Sequence, residues 1–234
     1  MSLFFTAKAV CPDCGAEATL EYPASINADR RPDLRAAILD HSLYTVACPE
    51  CAKALVFEPH ITFLDVARRQ WILAEAVDEV GNWRDAEANA VGIYEMAFGS
   101  GAPEAARGIG ARLVARLVFG WPALIEKLLC VELGLDDVAL AALKLALLRD
   151  GPLRAISATL ELRLVDRDED GLTFAWLDPV SGEERERIGV PEEMYVHVKG
   201  GGGAWDRVTT VLSGKMFVDV NRVLRAPAEA APAH

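Results

Sequence analysis

The stretch that decides the fold opens with Cys11-Pro12-Asp13-Cys14-Gly15 and closes with Cys48-Pro49-Glu50-Cys51-Ala52-Lys53. In each Cys-Pro-x-Cys unit a tight turn points both sulfurs to one side, and backbone N–H groups in the turn help stabilise thiolates. Two such turns facing each other complete a closed tetrahedral sphere of four sulfurs, the donor set of structural zinc. Gly15 supplies the permissive backbone such a turn prefers, whereas Ala52-Lys53 follows the second pair and matches less well. Cys11, Cys14, Cys48 and Cys51 are the expected metal ligands, and Zn2+ is the expected ion. A closed sphere leaves no position for water, so a structural rather than catalytic metal is expected. Zinc held this way also contributes to folding, on the order of 10–16 kcal/mol in small zinc modules.

The same pairs occur in thiol oxidoreductases and redox sensors, where the first cysteine opens a helix whose dipole acidifies it. Neither pair here opens an amphipathic helix. Strand-like Thr19-Leu20-Glu21-Tyr22 follows the first, Leu43–Ala47 precedes the second, and Ala54–Phe57 follows it. The 33 residues between the pairs (15–47) exceed the roughly 15–20 usual for such arrays. They have room for an insertion with Pro32 in a first helical turn, Asp33 suited to the dipole, and Leu34, Ile38 and Leu39 at helical spacing.

The whole chain has 234 residues, 24 Lys+Arg against 35 Asp+Glu, and a net charge of −11. That length suits one or two domains with a sizeable core. With 52% hydrophobic and 25% charged residues the composition is that of an ordinary globular protein. The acidity is even: −3 over residues 1–60, −4 over 61–150 and −4 over 151–234. No segment concentrates positive charge, which disfavours nucleic acid. An RNA- or ribosome-associated zinc ribbon needs a local basic face, and Arg30, Arg31 and Arg35 are its only candidates in the cysteine module. Met1–Lys8 lacks a basic signal-peptide start. Arg116 and Lys144 interrupt the two longest apolar runs, so no stretch reaches the roughly 20 apolar residues of a membrane span. A cytoplasmic location with reduced thiols is expected.

The residues around the pairs resemble a known family. The two CPxC motifs, the segment Ser25-Ile26-Asn27 … Pro32-Asp33-Leu34-Arg35 and an aspartate after the second pair are similar to the CpXC domain family of bacteria and archaea. Members often carry Tyr-x-Asp near the end of the domain. Here it reads Phe63-Leu64-Asp65, so Asp65 carries over and the tyrosine hydroxyl does not. Phe119-Gly120-Trp121-Pro122 … Ile125-Glu126-Lys127 … Gly134-Leu135-Asp136-Asp137 resembles the region that follows in longer members. The resemblance implies metal binding and brings no established activity with it.

Beyond the cysteine module, from about residue 62, the spacing predicts helices. Asn82 is a candidate cap with Asp85 in a capping box, followed by Ala86, Ala90, Ile93 and Ala97 up to Gly99-Ser100-Gly101. Pro103 starts a second helix with Ile109, Leu113, Leu117 and Val118 on its apolar face. Pro122 starts a third, with Leu124, Leu128, Leu129 and Val131, and Asp136 a fourth, closed by Gly151-Pro152. Short loops between them favour an antiparallel bundle. From Ile156 the period becomes two. Ala158, Leu160, Leu162 and Leu164 face inward, Leu172–Trp176 and Glu186–Val190 follow as strands, and Pro191-Glu192-Glu193 opens a short helix ending at Gly200.

The expected class is therefore α+β: a zinc-ribbon-like β module with a helical insertion (1–75), a central antiparallel helical bundle (76–152), a small α+β unit (153–225) and a disordered Pro/Ala tail (226–234). Other motifs read as structure. Asp166-Arg167-Asp168-Glu169-Asp170-Gly171 opens like a calcium loop, but Leu177 stands where the bidentate glutamate belongs, so it reads as a hairpin turn. Gly200–Gly203 lacks a phosphate-loop frame and reads as a linker. His41 and His60 read as helix-end or surface residues, and Cys130 as a small buried hydrophobe. No HExxH, GxSxG or Rossmann fingerprint occurs. The expected function is interaction or assembly with a protein partner or a second copy.

Overall fold

The computed structural model describes residues 4–150 and 159–225. Along the chain lie β1 (Phe4–Val10), β2 (Glu17–Pro23), β3 (Ser25–Asn27), α1 (Pro32–Leu39), β4 (Thr45–Ala47) and β5 (Ala54–Val56). Then come β6 (Ile61–Asp65), β7 (Gln70–Glu75), a 3-10 helix (Val77–Asn82), α2 (Trp83–Phe98), α3 (Glu104–Gly110) and β8 (Val114–Phe119). Helices α4 (Trp121–Glu132) and α5 (Asp137–Asp150) lead to β9 (Glu161–Arg167), β10 (Gly171–Leu177) and β11 (Glu184–Pro191). The described chain ends with α6 (Glu192–Lys199), α7 (Ala204–Leu212) and α8 (Val220–Leu224). The class is α+β, as expected.

A mixed sheet in the order β3-β6-β7-β8 forms the centre. Strand β6 pairs parallel with β3 and antiparallel with β7, and β8 adds to β7 in parallel. Period-two alternation divides its side chains between two cores. Ile61, Phe63, Ile72, Ala74 and Val118 face Leu34 and Ile38 of α1 and Leu124 and Leu128 of α4. Trp71, Leu73, Leu117 and Phe119 face Trp83 and Ala90 of α2.

This sheet corrects the expected central bundle. Of the helix anticipated from Pro103 through Val118, only Glu104–Gly110 is helical; Leu113 lies in a turn, and Leu117 and Val118 belong to β8. The stretch after residue 62 likewise starts with β6 and β7 rather than helix. A strand buried on both faces loses the polar/apolar alternation that marks it in sequence, and its continuous apolar run looks like a buried helix. β8 pairs with β7, so one sheet spans the anticipated boundary at residue 75. The capping box also fails to form: Asn82 precedes α2 but its side chain makes no cap bond. The helices predicted from Pro122 and Asp136 form as α4 and α5, but Val131 is exposed rather than inward.

The C-terminal meander β11-β10-β9 is antiparallel, and α5 and α6 cover it. Leu140 and Leu143 pack with Leu162, Leu164, Phe174, Trp176, Tyr195 and Val198. The Asp168–Asp170 segment is the hairpin turn between β9 and β10, with Asp168 Oδ1 accepting the Asp170 and Gly171 N–H groups at 2.9 and 3.2 Å. The predicted helix stop at Gly151-Pro152, the strand start at Ile156 and Ala158, and the 226–234 tail lie outside the described residues.

Charge, too, is buried between these layers. Glu126 and Lys127 of α4 are 2% and 5% exposed. Glu126 accepts from Lys144 of α5 at 2.7 Å, from Arg163 of β9 at 3.0 Å and from the Leu164 backbone at 2.8 Å. Arg163 continues to Asp219 at 2.6 Å. Lys127 donates to Asp137 and to the Val218 carbonyl, each at 2.7 Å, and Arg116 of β8 closes the Asp137 pair. Such a network holds its members strictly, because each lost partner leaves a buried charge exposed to a low-dielectric interior.

Candidate metal centre

Two short hairpins carry the cysteines. β1 pairs with β2 over Phe4–Pro23 to Val10–Glu17, which leaves Cys11–Ala16 as its turn. β4 pairs with β5 from Thr45–Val56 to Ala47–Ala54, leaving Cys48–Lys53. The two turns repeat one geometry. The N–H of the first cysteine donates to the carbonyl five residues on, Cys11 to Ala16 and Cys48 to Lys53, both at 2.8 Å. The residue after the second cysteine donates back, Gly15 to Cys11 and Ala52 to Cys48, both at 2.9 Å. That return needs left-handed backbone, and both residues have it: φ is +76° at Gly15 and +59° at Ala52. The weaker match seen at Ala52 is thus a strained copy of the same turn.

Lys53 Nζ reaches across to Asp13 at 2.6 Å and joins the turns. Beneath them Ala18 and Leu55 form a small apolar floor with the buried Cys11 and Cys48. Among the described residues, the four sulfurs of Cys11, Cys14, Cys48 and Cys51 form the one cluster able to hold a metal, all within 4.8 Å of one another. Cys11 Sγ lies 3.6 Å from Cys51 Sγ, and Cys14 Sγ 3.5 Å from Cys48 Sγ. Zinc–sulfur bonds of about 2.3 Å set a tetrahedral edge near 3.8 Å, so the donor set and spacing fit a zinc-sized ion.

Backbone N–H groups and neighbouring thiols act on the sulfurs unevenly. N–H groups of Cys51 and Glu50 draw the Cys48 thiol down to about 7. Cys51 receives the Lys53 N–H, which lowers it, yet the neighbouring thiols of Cys11 and Cys48 push it up to about 12. Cys14 behaves the same way: the Ala16 N–H pulls it down and Cys48 and burial carry it above the ordinary value. Four sulfurs this close cannot all be anionic unless a cation sits among them. Neither pair opens a helix; each closes a β-hairpin. The helix dipole that acidifies a redox CxxC is therefore missing from both, and the lowering at Cys48 comes chiefly from turn N–H groups.

The histidines are placed elsewhere. His41 Nδ1 lies 2.6 Å from the Tyr44 hydroxyl and His60 Nδ1 2.9 Å from Glu75. Cys130 is 1% exposed inside the C-terminal core, where burial pushes its thiol up to about 12. Asp65, at the end of β6, is 1% exposed; it accepts the Arg68 backbone N–H at 2.8 Å and lies 3.8 Å from Arg35. Arg35 and Asp65, both within the family resemblance, thus meet as an ion pair between α1 and the β6–β7 turn. The Lys53–Asp13 bridge and the Arg35–Asp65 pair escaped sequence reasoning, although all four residues sit in the motifs already quoted.

Two hairpin turns presenting four grouped thiols define a protein with a four-cysteine site able to hold a metal ion. The chain belongs to the CpXC protein family, whose model matches residues 9–144. No curated protein and no solved structure matches it. Among the described residues no helix is long and apolar enough to cross a membrane.

Proposed function

We propose that the chain is a zinc-holding interaction or assembly protein of the cytoplasm, in which Cys11, Cys14, Cys48 and Cys51 bind one Zn2+ that locks the hairpins together. The observation that carries this reading is the approach of four sulfurs from two matching turns. Bound zinc would hold all four as thiolates and act as a cross-link. The face on offer to a protein partner is the outer side of β1, where Phe4, Lys8 and Val10 alternate outward and Phe4 and Val10 are 49% and 68% exposed. Isolated exposed apolar side chains are ordinary, but two on one zinc-pinned strand edge suit a binding surface.

Differential alkylation tests it. The purified protein is treated with iodoacetamide before and after a strong chelator, with released zinc read by a chromophoric indicator. The expected result is protection of the four cysteines until chelation, with zinc release in step. Immediate alkylation of two cysteines that cycle with reductant would instead identify a redox pair.

A further inference from the structure

The central sheet, the 3-10 helix, the β10–β11 turn and the C-terminal segment line an open-mouthed cavity of about 650 Å3. Small-molecule sites typically occupy about 300–1,000 Å3. Leu117 and Phe119 of β8, Ala123 of α4 and Phe217 give it apolar walls. Its buried polar groups are Lys127, Glu161, Arg163 and Asp219.

Two of these have no polar side-chain atom left without a partner. Lys127 is held by Asp137 and the Val218 carbonyl, and Asp219 accepts from Arg163 and from both nitrogens of Asn221. The other two each have one. Glu161 spends Oε2 on Arg163, while its Oε1 is buried with no partner, and Arg163 Nε is also without one. The Glu161 side chain is 8% exposed and that of Arg163 4%. Unmet buried polar atoms are rare inside a protein, and the unmet acceptor of Glu161 suits a cationic donor.

Charge selects the ligand's sign. Five carboxylates line the cavity (Glu58, Asp78, Glu79, Glu161 and Asp219) against the cations Lys127, Arg163 and Arg225. Lys127 and Arg163 are already committed to carboxylates, whereas Asp78 and Glu79 lie exposed where a ligand enters. That field favours a cation. We propose that the cavity is a binding site for a small organic amine with an apolar body, its ammonium drawn to the Glu161 carboxylate.

The test uses the full chain as purified, with benzylamine as probe and benzyl alcohol and phenylacetate as matched neutral and anionic controls, followed by calorimetry or ligand-observed NMR. Benzylamine is expected to saturate one site and both controls to bind at least about tenfold more weakly, as loss of a charge-assisted hydrogen bond implies. Glu161→Gln should weaken benzylamine by a similar factor. Val180→Trp, at an exposed turn position lining the cavity, should block it without touching the buried charges, and it keeps the test open should Glu161→Gln misfold. Absence of benzylamine binding, equal or tighter binding of phenylacetate, or unchanged binding in either folded variant would overturn the proposal.

Discussion

At the scale of single residues, backbone conformation makes the sharpest predictions. Gly15 and Ala52 occupy equivalent left-handed positions, and nothing lies within 4 Å of a side chain added at Gly15. Gly15→Ala therefore introduces conformational strain alone, and Ala52→Gly removes it. The expected shifts are about 1 kcal/mol in opposite directions, read as denaturant midpoints of the two variants. Gly120 differs, because space as well as φ is constrained there. Its φ is +81°, and a Cβ would stand 2.6 Å from Val77 Cγ2 and 2.8 Å from the Pro179 carbonyl oxygen. Backbone cannot yield like a side-chain tip, so Gly120→Ala is expected to cost roughly 2–4 kcal/mol; a midpoint within experimental error of the parent would contradict this packing. Gly120 was quoted in the sequence only for its resemblance. Its role depends on Val77 and Pro179, and no local pattern places them beside it.

At the scale of elements, legibility followed burial. The cysteine turns, α1 with Pro32 at its start, and β11 were readable because each has a wet face or a turn chemistry of its own. β9 and β10 were readable from their polar alternation and turn, although Glu161 and Arg163 are buried like their apolar neighbours. Leu162 and Leu164 point inward as their alternation predicts, and Pro191 precedes α6. β7 and β8 were not readable, since Trp71-Ile72-Leu73-Ala74 and Leu117-Val118-Phe119 pack on both sides. α4 misled in the opposite sense. Glu126 and Lys127 look like a solvated stripe, yet α5, β9 and the C-terminal segment cover them. Lys144→Met should thus be severe, costing about 3–5 kcal/mol by stripping a partner from buried Glu126. The double variant Lys144→Met/Glu126→Leu should recover part of that loss in chemical denaturation. Equal stability of the single variant and the parent would show that the pair is not buried as described.

At the scale of the whole molecule, the even −11 charge hides an interior whose ions are paired, and this sets the pH response. Burial alone would raise Glu126, Asp137 and Asp219, but Lys144 and Arg163, Lys127 and Arg116, and Arg163 and Lys144 respectively hold them below the usual carboxylate range. Glu161 goes the other way, raised by burial that Arg163 only partly offsets. Depressed carboxylates stabilise the fold above their unfolded values near pH 4 and lose that contribution as pH falls toward their folded ones; Glu161 has the opposite sign. Glu58 shares that sign, raised by its partial burial, and the strongly paired Glu126, Asp137 and Asp219 outweigh the two. Stability measured by chemical denaturation is expected to fall steadily below about pH 4, and a plateau down to pH 2 would contradict the network. Acid also releases thiolate-bound metal, so zinc is followed on the same samples with a chromophoric indicator.

The central claim is that Cys11, Cys14, Cys48 and Cys51 together hold one zinc ion. Native mass spectrometry of the purified chain, beside the Cys14→Ser/Cys51→Ser variant, measures this directly. The account predicts one zinc per parent chain and none in the variant, whose hairpins should then become sensitive to proteolysis. A metal-free parent chain, a parent chain whose mass reveals a disulfide, or a variant that keeps its zinc would contradict it.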